Sequence, residues 1–200
     1  MSLFTKETEH IYRLKIPFDT VYTSVFLVKT DEGILLVDCA TTAEDVDGYI
    51  VPALAELGYS LTDIKFNVIT HSHADHAGGF PRIKELSPST EAVTDVRELY
   101  CGISTYAIPG HTLDFVGVLD ERSGTLISGD GLQGAGVDKY RTSTNDPIAY
   151  LRSLEKIKCD VRVESLLFSH AYEPWFADKI CGRCEVLCCL EECKLYVKKS

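Results

Sequence analysis

Apolar, β-rich runs at Val21–Val28 and Ile34–Val37 flank the polar stretch T-D-E-G, a pattern that predicts a β-hairpin. From Ala43 to Leu57 the period changes. Val46, Ile50, Leu54 and Leu57 recur at helical spacing, Gly58 supplies a stop, and Pro52 predicts a kink. Phe66–Ile69 reads as a short buried strand and Phe80–Leu86 as a helix. Ile103–Ile108 is a further strand. Phe115–Leu119 and Thr125–Ile127 form a second hairpin around D-E-R-S-G. Asp146-Pro147 opens a helix carrying Ile148, Leu151, Leu154 and Ile157. Val163–Phe168 is the last predicted strand, and a Cys-rich helix is expected over about 177–200. No repeat or linker interrupts the chain, so residues 1–200 read as one domain of mixed strands and helices.

Composition adds three constraints. The 200 residues are 45% hydrophobic and 25% charged, enough for a sizeable core. The formal net charge is −10 with no Lys/Arg run, which argues against a nucleic-acid partner. The terminal Lys198-Lys199 reads as a solvated tail. The N-terminal stretch is polar and acidic, unlike a signal peptide, and no apolar run has membrane-spanning length. Eight cysteines in a chain with a good core are expected to be mostly reduced, pointing to a cytoplasmic protein.

Candidate chemistry falls on strand ends. T-H-S-H-A-D-H-A-G-G, Thr70 to Gly79, packs three of the six histidines beside an acid. Apolar strands are followed closely by His71 and His73, by His111, by Asp130 and by His170, and such edges are where α/β sheets place their sites. Asp75 and His76 come from the turn into the next helix. Gly78 and Gly79 allow a tight backbone there. Imidazoles and carboxylates suit Zn²⁺ and also Fe or Mn. Seven ligands exceed what one tetrahedral ion takes and match two. Two close cations would acidify a shared water and polarise a carbonyl or phosphoryl oxygen.

H-S-H-A-D-H, then P-G-H-T, S-G-D and a late S-H, with L-L-V-D at Leu35–Asp38, resemble the signature of the metallo-β-lactamase superfamily from about Val21 to His170. The resemblance implies an α+β fold, a four-layered αββα sandwich with metals at one edge of its sheets. It assigns His71, His73 and His111 to a first metal and Asp75, His76 and His170 to a second, with Asp130 bridging. Two Zn²⁺ are implied, with Fe or Mn as substitutes. Their hydroxide would attack the substrate, and Asp75, the implied catalytic residue, would orient it or take its proton. An Asp at the bridge is similar to the glyoxalase II, lactonase and phosphodiesterase branches. Only residues 77–110, 34 in all, separate His76 from His111, so the pocket is expected to be open or completed by another subunit of a homo-oligomer. The short stretch after His170 leads to the expectation that the helical domain with which glyoxalase II holds glutathione is absent, which weakens that substrate assignment, and no insertion like the one by which ribonuclease Z grips tRNA is expected either.

The resulting expectation is a metal-dependent hydrolase of a small-molecule ester, thioester or lactone. A mononuclear iron sulfur dioxygenase of the persulfide dioxygenase kind is the alternative from another class. A phosphodiesterase, a β-lactam hydrolase and a non-catalytic binding protein rank below these. His10 reads as an ordinary polar residue, Asp38 as a structural acid bonded to the ligand loop, and Asp114 and Asp120 as turn or surface residues. In the tail, Cys181, Cys184 and Cys188 would share one face of a helix that also carries Cys189 and Cys193. A second metal, Fe–S or redox site is the sharp reading. Packing of small apolar thiols is the favoured one.

Overall fold

The computed structural model describes residues 3–132, 144–172 and 177–197. The chain divides into two compact units, residues 1–94 and 95–200. The sequence motif A-Y-E-P-W runs beyond Tyr172, and its last three residues, like Lys198-Lys199, lie outside the described residues. Among the described residues no helix is long and apolar enough to cross a membrane.

The first unit is built on a six-stranded sheet in the order β1-β2-β3-β4-β5-β6. Its strands are β1 (Phe4–Lys6), β2 (Ile11–Phe18), β3 (Val21–Lys29), β4 (Ile34–Val37), β5 (Ile64–Val68) and β6 (Glu91–Val93). β1 to β4 run antiparallel, whereas β4, β5 and β6 pair in parallel, so helical crossovers must join the last three. Register sorts the side chains by face. Tyr12, Leu27 and Leu36 lie in one cross-strand row, and Leu14 pairs with Val25 in another. This face packs on Val46, Ile50, Ala53, Leu54 and Ile83 of the helical layer. The alternate row sets Arg13 opposite Phe26 and Val37. The Arg13 guanidinium lies 4.9 Å from the Phe26 ring centroid and bonds Glu7 at 2.8 Å, which pairs a charge that would otherwise be buried at a cost.

The helix predicted over Ala43–Leu57 is broken into three pieces. α1 (Ala43–Asp45) starts with a capping box between Thr42 and Asp45, a π-turn covers Val46–Ile50, and α2 (Val51–Glu56) follows. Pro52 is the physical reason. It has no N–H, and its ring would clash with the carbonyl one turn back. The wider turn, in which the Val51 N–H bonds Val46 O, takes up the misfit. Two shorter helices, α3 (Ala74–Ala77) and α4 (Phe80–Leu86), lie between β5 and β6.

The second unit repeats the plan with a sheet ordered β12-β11-β10-β9-β8-β7. Its strands are β7 (Glu98–Tyr100), β8 (Ile103–Ala107), β9 (Val116–Asp120), β10 (Thr125–Ile127), β11 (Ser165–Leu167) and β12 (Lys179–Cys181). β10 and β11 are the parallel pair, joined through α5 (Pro147–Cys159). Asp146 caps α5, its carboxylate accepting from the N–H groups of Ile148 and Ala149. Tyr150, Leu154 and Ile157 face the core, together with Val186, Cys189, Leu190 and Cys193 of α6 (Arg183–Val197). Each set follows helical spacing.

Several sequence expectations need correction here. Ile148 is exposed, because the buried stripe of α5 is centred on Tyr150. The last core strand is Ser165–Leu167, shorter than Val163–Phe168. Residues 179–181 form β12, paired with β11, and Gly182 at φ +99° turns the chain into a helix that begins only at Arg183. Cys181 therefore sits on a strand, off the helical face expected for it. Asp120 is neither a turn nor a surface residue: it is the buried last residue of β9, its carboxylate accepting from the Arg122 backbone and guanidinium.

Leu36 is fully buried at the centre of the first sheet. Leu36→Ala is expected to cost about 2–5 kcal/mol, read as a lower denaturation midpoint at unchanged slope. A loss below about 0.5 kcal/mol would mean that this row does not carry the core.

Candidate metal centre

In each unit most of the sequence-predicted ligands stand just beyond the C-terminal ends of a parallel strand pair, the exception being His111, which follows β8 of an antiparallel pair. In the first unit the parallel pair is β4 and β5. Asp38 follows β4 directly, and its N–H continues the ladder to Val68 O at 2.8 Å. Thr70 and His71 follow β5. Asp38 has φ +63°, a conformation that Asp tolerates better than most residues, and Ala40 follows at φ +60°. These two left-handed residues turn the chain beneath the histidine loop.

The Asp38 carboxylate organises that loop. It accepts from the Thr70 N–H at 2.8 Å, from the Thr70 hydroxyl at 2.9 Å, and from His76 Nδ1 at 2.7 Å. A carboxylate at this distance only accepts, so Nδ1 of His76 carries a proton, and in the neutral imidazole Nε2 then carries the lone pair. Thr70 spends its one hydroxyl proton on Asp38. Its oxygen, 3.1 Å from His71 Nδ1, then accepts the Nδ1 proton of His71. Both imidazoles are thus assigned to the tautomer that presents Nε2 as a donor of electrons.

His71, Asp75 and His76 are buried, whereas His73 is exposed at the N-cap of α3. The His71 ring centroid lies 4.4 Å from that of His73 and 4.3 Å from that of His76. The ligand atoms of His71 and His73, of His71 and His76, and of Asp75 and His76 come within 4.8 Å of each other. His76 Nε2 is 3.0 Å from Asp75 Oδ2. With the His76 proton on Nδ1, two electron-rich atoms face each other at that distance. A proton on Nε2 or a bound metal ion would each reconcile such a pair, and the donor set of imidazole nitrogens and carboxylate oxygens fits a Zn²⁺-like ion. The residues therefore fit the metal their motif implies.

The glycines of A-G-G serve by their size. Both have ordinary right-handed φ, but a Cβ on Gly78 would collide with Thr41 O, and one on Gly79 with Cys39 O. The Cys39 N–H and Sγ both bond His76 O, at 2.9 and 3.0 Å, which locks α3 against the turn after β4.

The second unit holds the other three residues. Ile127 of β10 and Leu167 of β11 are register partners, and Asp130 and His170 each lie three residues further on. Ser128 closes this end, its N–H and hydroxyl both donating to Leu167 O at 2.9 and 3.1 Å. His170 Nε2 lies 3.3 Å from Asp130 Oδ1, and His111 Nε2 lies 3.9 Å from Asp130 Oδ2. All three side chains are buried. The loop of His111 is pinned to α5: the Asp146 N–H bonds Gly110 O at 3.0 Å, and the Ser153 hydroxyl bonds Pro109 O at 2.7 Å. Gly110, at φ +148°, lies so near Tyr150 that a Cβ would approach its Cα at 2.6 Å.

Sequence reading named all seven of these residues and gave Asp38 its structural part. It missed Thr70, whose position before His71 was the available signal. It also missed Thr23, whose hydroxyl donates to Asp75 O at 3.2 Å, and Ser128. His10, Asp114 and Asp120 take no place in either ligand group.

Comparisons with known proteins bear on the fold and on the resemblance carried by the motifs. Residues 18–100 match the model of the metallo-beta-lactamase superfamily. A beta-lactamase-like protein 2 homolog of Caenorhabditis elegans is 29% identical over 71% of this chain and 54% of its own. A hydroxyacylglutathione hydrolase of Methylobacterium nodulans is 30% identical over 66% of this chain and 59% of its own. The chain thus spans a little over half the length of these curated relatives. The metallo-beta-lactamase FIM-1 from Pseudomonas aeruginosa, solved in a mono-zinc form, superposes with a TM-score of 0.74 at 17% identity, covering 98% of this chain and 94% of its own. The fold is the metallo-β-lactamase fold, and the resemblance carried by the motifs is borne out.

Asp38→Asn replaces the shared acceptor with an amide that can satisfy only part of this network. The variant is expected to bind Zn²⁺ about 10–100-fold more weakly, measured by competition with a chromogenic chelator. Unchanged affinity would show that the Asp38 bonds do not set the histidine donors.

Proposed function

We propose that this chain, a member of the metallo-β-lactamase superfamily by its motifs, its matched segment and its fold, is a metal-dependent hydrolase of small-molecule thioesters, esters or lactones. The observation that carries the proposal is the Asp38–Thr70–His71/His76 network, which presents Nε2 of His71 and of His76 for a ligand, the latter 3.0 Å from the Asp75 carboxylate. In this reading the ligands of the two units serve one binuclear centre. His71, His73 and His111 hold one ion, Asp75, His76 and His170 hold the other, and Asp130 lies between them. Support comes from the matching placement of His71, and of Asp130 and His170, just beyond the parallel strands of their own sheets.

Two divalent cations, when bound, supply an acidified water and an electrophile for the carbonyl oxygen. The chain's own residues do the rest. Asp75, 8% exposed and with its backbone oxygen held by Thr23, orients the attacking water and takes its proton. Asp38 holds His76 and, through Thr70, His71 in the ligating tautomer. Asp130 keeps His111 and His170 within reach of one carboxylate. Thioesters lead the substrate class because hydroxyacylglutathione hydrolases are among the relatives.

Elemental mass spectrometry on protein purified without chelator, followed by a panel of thioesters and lactones, tests this. About two zinc or manganese ions per chain and turnover of at least one substrate class are expected. Asp130→Ala should lose metal and turnover while its circular dichroism is kept. About one iron per chain, with no hydrolysis, would overturn the proposal in favour of sulfur oxidation. Full activity in Asp130→Ala would remove Asp130 from the centre.

A further inference from the structure

Five of the eight cysteines fall between residues 181 and 193, and the proposed hydrolase uses none of them. All eight cysteines are thiols. Cys189 and Cys193 belong to the core. Cys184 and Cys188 do not: they are exposed, one helical turn apart, and Glu192 continues the same stripe at the next turn. These three line a concavity of about 220 Å³ with Ile180, Glu185 and Cys189. The charged contacts of α6 lie elsewhere on the helix, where Glu191 and Lys194 pair with Lys158 and Glu155 of α5. Arg183 fixes the start of α6 by donating to Val163 O at 2.7 Å and Lys158 O at 2.6 Å. The thiol stripe therefore sits on a rigid, anchored helix and opens to solvent.

We propose that Cys184 and Cys188 form a two-thiolate site for a soft, two-coordinate metal ion, Cu(I) being the representative ion. Three observations select this occupant. A disulfide needs Cβ atoms about 3.5–4.5 Å apart, whereas residues four apart on a helix keep them about 5–6 Å apart. An ion set between the two sulfurs, with metal–sulfur bonds on the order of the 2.3 Å of a zinc thiolate, spans the wider gap without bending the helix. Structural zinc and Fe–S clusters want four ligands, and among the described residues no three convergent metal-binding side chains include a cysteine. Cys189, which lines the same concavity, shares a hydrogen bond with Cys193 and is buried, which raises its pKa and keeps it a neutral thiol. Thiolate sulfur selects Cu(I), and Glu185 and Glu192 add negative charge around the entry. Binding forms two Cu–S bonds and releases the two thiol protons to solvent, with no change in the oxidation state of copper or sulfur.

The test is an anaerobic Cu(I) titration of the zinc-loaded protein against a chromogenic Cu(I) chelator, with thiolate-to-copper charge-transfer absorption and proton release as readouts. The wild type and a control, Cys101→Ser/Cys159→Ser, should each take up one equivalent more than Cys184→Ser/Cys188→Ser. That equivalent should release about two protons. Each single variant should lose it as well, and zinc content and hydrolysis should be the same in all forms. Equal Cu(I) uptake by the wild type and the double variant, or retention in either single variant, would overturn the site. Zinc content in the same samples reports on the histidine centre separately, so failure of one reading is distinguishable from failure of the other.

Discussion

A carboxylate buried to 1% exposure at the end of β4 is the feature on which the first unit's chemistry depends. Burying a charge is costly unless it is fully hydrogen-bonded. Asp38 meets that condition with groups that themselves need orienting: the backbone and hydroxyl of Thr70 and the Nδ1 of His76. One acid thereby fixes the start of the histidine loop, the tautomer of two histidines, and the place to which their Nε2 atoms point. The backbone cost is visible in the two left-handed residues Asp38 and Ala40, where other side chains would be strained.

The rest of each unit serves to present strand ends. Parallel pairing of β4 with β5 and of β10 with β11 puts consecutive ligand-bearing turns on the same edge of a sheet. The helical layers then close the turns from outside. In the first unit the turn after β4 is tied to α3 through Cys39 and fits only over the bare backbone of Gly78 and Gly79. In the second unit the His111 loop leans on Tyr150 of α5 and is bonded to its first and second turns. Loops pinned in this way hold their ligands without having to order them when a metal arrives, which lowers the entropic cost of binding.

Much of this was legible in the sequence, and what was not has local causes. The histidine loop and the later His and Asp residues are readable because each follows an apolar run that could only be a buried strand. β2 was hidden because I-Y-R-L-K-I-P-F breaks alternation with a buried Arg13, paired to Glu7, and with Pro17. β1, β6, β7 and β12 are three residues each, too short to set a period. The π-turn reflects a backbone conflict at Pro52 that apolar spacing does not register. The burial of Tyr150 in place of Ile148 reflects the close approach of Gly110 to α5, a tertiary fit with no local signature. Thr70 escaped because a hydroxyl relay between an acid and a histidine requires knowing that residues 38 and 70 are neighbours.

The central proposal is that two metal ions are held by the seven assigned residues, His71 and His76 binding through Nε2. Anomalous X-ray diffraction at the zinc absorption edge, on crystals of the metal-loaded protein, tests it most directly. Two peaks about 3.5–4 Å apart, with Asp130 between them and His71 and His76 bonded through Nε2, are predicted. Peaks confined to one unit, or ligation of His76 through Nδ1 with the Asp38 bond broken, would contradict it.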